Sequence, residues 1–166
     1  APRQERGKIP AFAGVLTVIF VLMMVGAGDP YRKVIQERVA AMMGQDALVY
    51  AFHEGVAGNT VPAGSPKNHF MRHLFINGMG MTNLVTETKL MAHLPLSLVH
   101  DPQRVLVICF GMGTTVRSAS QYPAGDRTID IQAVDIVPKV FDCFKFFHQD
   151  ANQIAALPNV RLHADD

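Results

Sequence analysis

At 166 residues the chain has the size of one ordinary domain, and 15 basic against 14 acidic residues leave a net charge of +1. No basic block stands out, so the composition does not favour nucleic acid as a partner. The two cysteines, Cys109 and Cys143, have neither CxxC spacing nor disulfide-rich density, which points to a reducing compartment.

The first segment, Ile9 to Gly28 (IPAFAGVLTVIFVLMMVGAG), carries no charge. As a helix it would measure about 30 Å, the thickness of a bilayer's hydrocarbon core. A single transmembrane helix is expected over residues 1–28. Two alternatives stay open. Arg3, Arg6 and Lys8 before the stretch and Val25-Gly26-Ala27 near its end suit a signal peptide, although the chain starts with Ala. A buried core helix would also be apolar all round. Cations lie on both sides of the segment (Arg32, Lys33 and Arg38 follow it), so the positive-inside rule has little asymmetry to use.

Asp29-Pro30 reads as an N-cap and first helical turn, and Gly44 as the stop. Between them Val34, Ile35, Val39, Met42 and Met43 recur at helical spacing, which predicts an amphipathic juxtamembrane helix over 29–46. A small β-rich unit is expected over 47–100. In it Ala47 to Glu54 is strand-like, Gly55 to Pro66 is a Gly/Pro/Asn/Ser loop, Asn68 to Asn77 is a second strand, and Thr86 to His93 is a helix ended by Pro95. His69 and His73 fall in the strand-like stretch about 13 Å apart by strand rise, with no third ligand evident, so no metal is expected. The methionines Met23, Met24, Met42, Met43, Met79 and Met81 read as membrane and core packing.

Residues 101–166 carry the most informative pattern. Val105 to Phe110 is a short apolar strand that runs into Gly111 and Gly113; small and polar residues able to open a helix follow, and a second β-branched run ends at Asp135, 24 residues after Gly111. Strand, glycine turn, helix, strand and acid form a nucleotide-binding βαβ unit. The glycines let the backbone approach a ligand, and the acid can accept from two ribose hydroxyls. GxG alone also fits an ordinary turn. The third glycine of a dinucleotide fingerprint is missing, and GxGT followed by an acid suits an S-adenosylmethionine-type site better than NAD. Cys109, inside the apolar strand, is expected to be a buried, inert thiol. A helix is expected through FDCFKFFHQDANQIAAL, with Phe141, Phe144, Phe147, Ile154 and Leu157 as its apolar positions, and a third strand over Val160 to Ala164. An open α/β sheet normally continues through more strands, so residues 101–166 read as a truncated Rossmann-like domain, in a fragment or a shortened subunit.

Several stretches occur together in order: YAFHEG (Tyr50 to Gly55), LFINGMGMT (Leu74 to Thr82), HLPL (His93 to Leu96), RVLVICFGMGTT (Arg104 to Thr115), VDIVP (Val134 to Pro138) and PNVRLHADD (Pro158 to Asp166). Over Ala47 to Asp166 the chain resembles the spermidine synthase family of polyamine aminopropyltransferases, and in particular membrane-fused, spermidine-synthase-like proteins. The resemblance implies an α/β fold: a partial class I methyltransferase-like Rossmann domain, preceded by a small β-unit and one N-terminal transmembrane helix. It implies decarboxylated S-adenosylmethionine or S-adenosylmethionine as ligand. Gly111 and Gly113 would form the glycine loop, Asp135 would bind the ribose hydroxyls, and Asp166 would contact the adenine amino group.

The chemistry carries over less well. Met112 stands where the resembled family has the Asp that faces the aminopropyl amine, and Met81 where it often has a cofactor-binding Gln. Glu87-Thr88-Lys89 replaces Tyr-His-Glu, and the catalytic Asp belongs to a later segment. A thioether cannot stand in for a carboxylate in holding an ammonium. No catalytic residue is therefore assigned. The expectation is a membrane-anchored spermidine-synthase-like protein with a degenerate nucleotide site on the cytoplasmic side, inactive as this chain. The alternative is a non-catalytic accessory subunit of a larger membrane complex, its partners being lipid and other membrane-protein subunits.

Overall fold

The computed structural model describes residues 8–26, 30–122 and 128–165; side chains are described for 14–23 in the first helix and from Arg32 onward in the second. The chain divides into two compact units, Ala1–Ile35 and Gln36–Asp166.

The first unit contains α1 (Lys8–Gly26) and the opening of α2 (Pro30–Met43). Val15, Leu16, Val18, Ile19, Phe20, Val21, Leu22 and Met23 of α1 are all exposed. Among the described residues no helix is long and apolar enough to cross a membrane. From Val15 to Met23 the described apolar surface runs for about 14 Å, half of a bilayer core, so the described helix does not support the expected span over residues 1–28. Asp29, the expected N-cap, lies outside the described residues. Helix α2 ends where expected, at Gly44, whose φ of 100° and N–H to the Ala40 carbonyl (3.0 Å) terminate it. Its expected apolar face is not one buried stripe: Val39 is buried, while Val34 and Met42 are exposed.

The second unit opens with a four-stranded antiparallel meander: β1 (Leu48–Val49), β2 (Thr60–Gly64), β3 (Arg72–Ile76) and β4 (Met79–Asn83), paired in that order. The strand expected over Ala47 to Glu54 is only two residues long, with an isolated bridge from His53 to Thr60. The stretch expected to be a loop contributes β2, which is fully buried and lies between β1 and β3. Pro62 is tolerated there for a geometric reason. Its carbonyl accepts from Tyr50 N (2.9 Å), so the edge on which it lacks an N–H donor faces the side on which β1 has just ended. Asn77 (φ 51°) and Gly78 (φ 80°) turn β3 into β4 as a two-residue primed hairpin. Met79 and Met81 on β4, like Met42, are exposed, which corrects their reading as core.

Helix α3 (Thr86–Leu98) continues through Pro95 instead of stopping before it. Then comes a three-stranded parallel sheet in the order β5 (Arg104–Ile108), β6 (Asp130–Asp135), β7 (Val160–Ala164), with α4 (Thr114–Ser120) linking β5 to β6. The helix expected from Phe141 to Leu157 is two helices, α5 (Lys139–Phe147) and α6 (Ala151–Ala155). The break is at His148, whose backbone is extended (φ −134°, ψ 130°). Phe144, Phe147 and Ile154 are buried against the sheet together with Val116, Ile131, Ala133 and Val140, which form the core. The Rossmann-like sheet is thus real. It positions the site by bringing the end of β5 beside the end of β6.

Candidate functional site

Beyond β5 the backbone alternates into the left-handed region at every second residue: Cys109 (φ 65°), Gly111 (φ 56°) and Gly113 (φ 75°). The N–H groups of these three residues are bonded within the protein: Cys109 to Val134 O (2.9 Å), Gly111 to Asp135 Oδ2 (3.3 Å) and Gly113 to Phe110 O (2.9 Å). Glycine takes the left-handed conformation freely; at Cys109, which has a Cβ, it stores about 1 kcal/mol of strain. Cys109 is anchored through its N–H to Val134 O (2.9 Å) and is exposed. The expectation of a buried thiol inside the strand is corrected: β5 ends at Ile108, and Cys109 stands beyond it in the exposed loop; Leu106 and Ile108 on β5 are themselves 62% and 72% exposed. Cys143 is the buried thiol, pushed up to about 12 by burial and the nearby Asp142 carboxylate.

The two glycines have different jobs. A Cβ on Gly113 would come within 2.4 Å of the Phe144 ring and 2.7 Å of Phe110, so this glycine lets α4 start against an aromatic layer. In that layer Phe110 meets Phe141 and Phe144 edge-on at 4.8 and 5.2 Å. A Cβ on Gly111 would meet nothing nearer than Thr82 at 3.8 Å, so the space over Gly111 is open.

Asp135 ends β6, and its carboxylate ties the loop down. Oδ2 accepts from Gly111 N (3.3 Å) and Oδ1 from Val137 N (2.9 Å). The structure therefore brings Gly111, Gly113 and Asp135 together, as the spacing predicts. Two of the carboxylate's roughly four acceptor positions are used, leaving two. Asp165 N reaches Asp135 O at 3.2 Å, so the end of β7 borders the same spot; Asp166 lies outside the described residues. Such a set of groups can hold a nucleoside: a bent glycine backbone for close approach, and an acid with spare lone pairs for a sugar diol.

No protein-family model matches the sequence, and no curated protein is similar to it. Solved structures do match. The spermidine synthase from Thermotoga maritima superposes with a TM-score of 0.59 at 16% identity, over 71% of this chain and 41% of that one. The fold is that of the spermidine synthases. A spermidine synthase solved in complex with the transition-state analogue AdoDATO superposes with a TM-score of 0.56, also at 16% identity, over 69% of this chain and 38% of that one. The chain thus spans about two-fifths of the length of the spermidine synthases it matches.

Within this spermidine synthase fold, Met112 is 3% exposed and belongs to the hydrophobic core. Its side chain is packed away from solvent. Thr88 holds α3 to α4: its carbonyl accepts from Thr115 Oγ1 (3.1 Å), while its own hydroxyl donates to Val85 O (2.7 Å).

Sequence reasoning missed His148. It is buried beside the start of α4, with Nε2 3.1 Å from Thr114 Oγ1. Burial, then the Arg117 guanidinium, lowers its pKa to about 4. Arg117 in turn donates from Nε to both Asp150 oxygens (2.8 and 3.0 Å) and holds that carboxyl below its ordinary range. The only sequence signal was polar HQD interrupting an apolar helical pattern.

Proposed function

We propose that this chain is a spermidine-synthase-like scaffold that binds an S-adenosylmethionine-type nucleoside at the Gly111–Gly113 loop and does not by itself transfer aminopropyl groups. The observation that carries the binding reading is the Gly111–Asp135 hydrogen bond, which fixes an open glycine backbone beside an acid with spare acceptor positions. Asp135 would take the ribose hydroxyls, and the open space over Gly111 would let the ligand approach the backbone closely. The bound nucleoside would supply an electrophilic carbon next to a sulfonium. The inactive reading rests on Met112, whose thioether is buried where an acid is needed to hold an amine.

Calorimetric titration of the chain with S-adenosylmethionine and with its decarboxylated form tests this directly. Binding of either is expected, with no aminopropyl product from putrescine. Absence of heat with both ligands sinks the nucleoside reading. Asp135→Asn, checked for native circular dichroism, should lose at least about tenfold in affinity, the worth of one charge-assisted hydrogen bond; unchanged affinity would remove Asp135 from the site.

A second reading, an accessory subunit attached to a membrane, is favoured by the uncharged sequence from Ile9 to Gly28 and by the exposed side chains from Val15 to Met23. Lipid or neighbouring apolar helices would cover them. Native mass measurement after detergent extraction separates the readings: a free monomer with no co-purifying subunit rules out the accessory role.

A further inference from the structure

A cleft of about 590 Å³ lies on the second unit, and no residue of the glycine loop from Cys109 to Gly113 lines it. That volume is in the range of small-molecule sites. Its wall comes from the β2–β3 connection and the first residue of β3, the β4–α3 link and the first turn of α3, the middle of α4 and the α5–α6 junction. Lys67, Arg72, Lys89 and Arg117 line it, with His69 and His148 between them. The one acid on the wall, Asp150, is engaged by Arg117. Lys67 reaches Asp46 at 3.4 Å, in a pair whose side chains are both more than three-quarters exposed and so weakly coupled. Lys89 has no ion-pair partner among the described residues. Arg72 gives Nη1 to Phe146 O (2.6 Å) and lies over the Tyr50 ring, and its buried Nε has no hydrogen-bond partner.

This charge is the wrong sign for a polyamine, which would meet four cations against a single acid. We propose that the cleft binds the phosphate group of a small molecule. Several cations lining one cavity match a dianion better than a single carboxylate, and two of them are guanidinium groups with N–H groups beyond Arg117 Nε, held by Asp150, and Arg72 Nη1, held by Phe146 O. The exposed Phe70 ring and the buried Leu84 give the rest of such a ligand an apolar surface. The two histidines report the same positive field: both have lowered pKa values, first from burial and next from Arg72 at His69 and Arg117 at His148.

Titration of the full chain with inorganic phosphate, alongside acetate, tests the proposal, read by calorimetry and by the histidine ring signals in NMR spectra. Phosphate is expected to bind more tightly than acetate, to weaken as sodium chloride is added, and to shift the His69 and His148 signals. Lys89→Gln, an exposed change that leaves the fold intact, should weaken phosphate about tenfold. Asp135→Asn should leave phosphate affinity unchanged, so this result is separate from the nucleoside reading. The proposal is overturned by no phosphate binding at millimolar concentration, by equal affinity for acetate, by an unaltered Lys89→Gln, or by shifts confined to other residues.

Discussion

His148 shows how a single buried side chain ties stability to pH. Its folded-state pKa of about 4 lies below the ordinary value of 6.5. Above pH 6.5 the ring is neutral in both states and its contribution is complete. As pH falls from 6.5 towards 4 the unfolded chain takes up a proton that the native chain refuses, so stability drops through that window, by on the order of 3 kcal/mol in total. Urea unfolding at pH 7.5 and pH 4.5 should show this loss. His148→Gln, which can still meet the Thr114 hydroxyl, should flatten the pH dependence; an unchanged slope in that variant would assign it to other groups.

The parallel strands were legible as elements because each is a short apolar or β-branched run bounded by turn residues, and β7 matches its expected range. The glycine loop with its distant acid was legible for the same reason, since its geometry follows from spacing along one βαβ unit. Strand β2 was not: Pro62 and Gly64 are breakers by local rule, and only the early end of β1 makes a proline acceptable at Pro62. Nor was the cationic cleft, whose residues are spread from Pro66 to Asp150 and converge only in space. Strand β5 also divides by face. Val107 is 7% exposed, whereas Leu106 is 62% exposed. Val107→Ala should therefore cost about 1–3 kcal/mol in urea unfolding, and Leu106→Ser no more than about 0.5 kcal/mol. Equal costs would mean that the outer face of β5 is covered.

Taken whole, the molecule combines a near-neutral charge with a large exposed apolar surface on α1. Charge of +1 gives little electrostatic repulsion between copies. Without detergent the chain should self-associate, and Leu16→Lys combined with Phe20→Lys should shift sedimentation velocity towards the monomer. A wild-type chain that sediments as one monomeric species would show that this surface does not drive association.

Among the described residues strand β5 pairs on one side only, with β6, and its Leu106 and Ile108 are exposed. Val105 to Phe110 (VLVICF) has no charge, proline or glycine. Edge strands of this composition are templates for cross-β growth, because free N–H and C=O groups can pair with the same segment of another copy. The strand that frames the ligand loop is therefore also a segment open to such pairing, and fibril nucleation there is expected to follow from it. A molecule that occupies the loop and steadies the end of β5 would act as an inhibitor of that nucleation, whatever else it does.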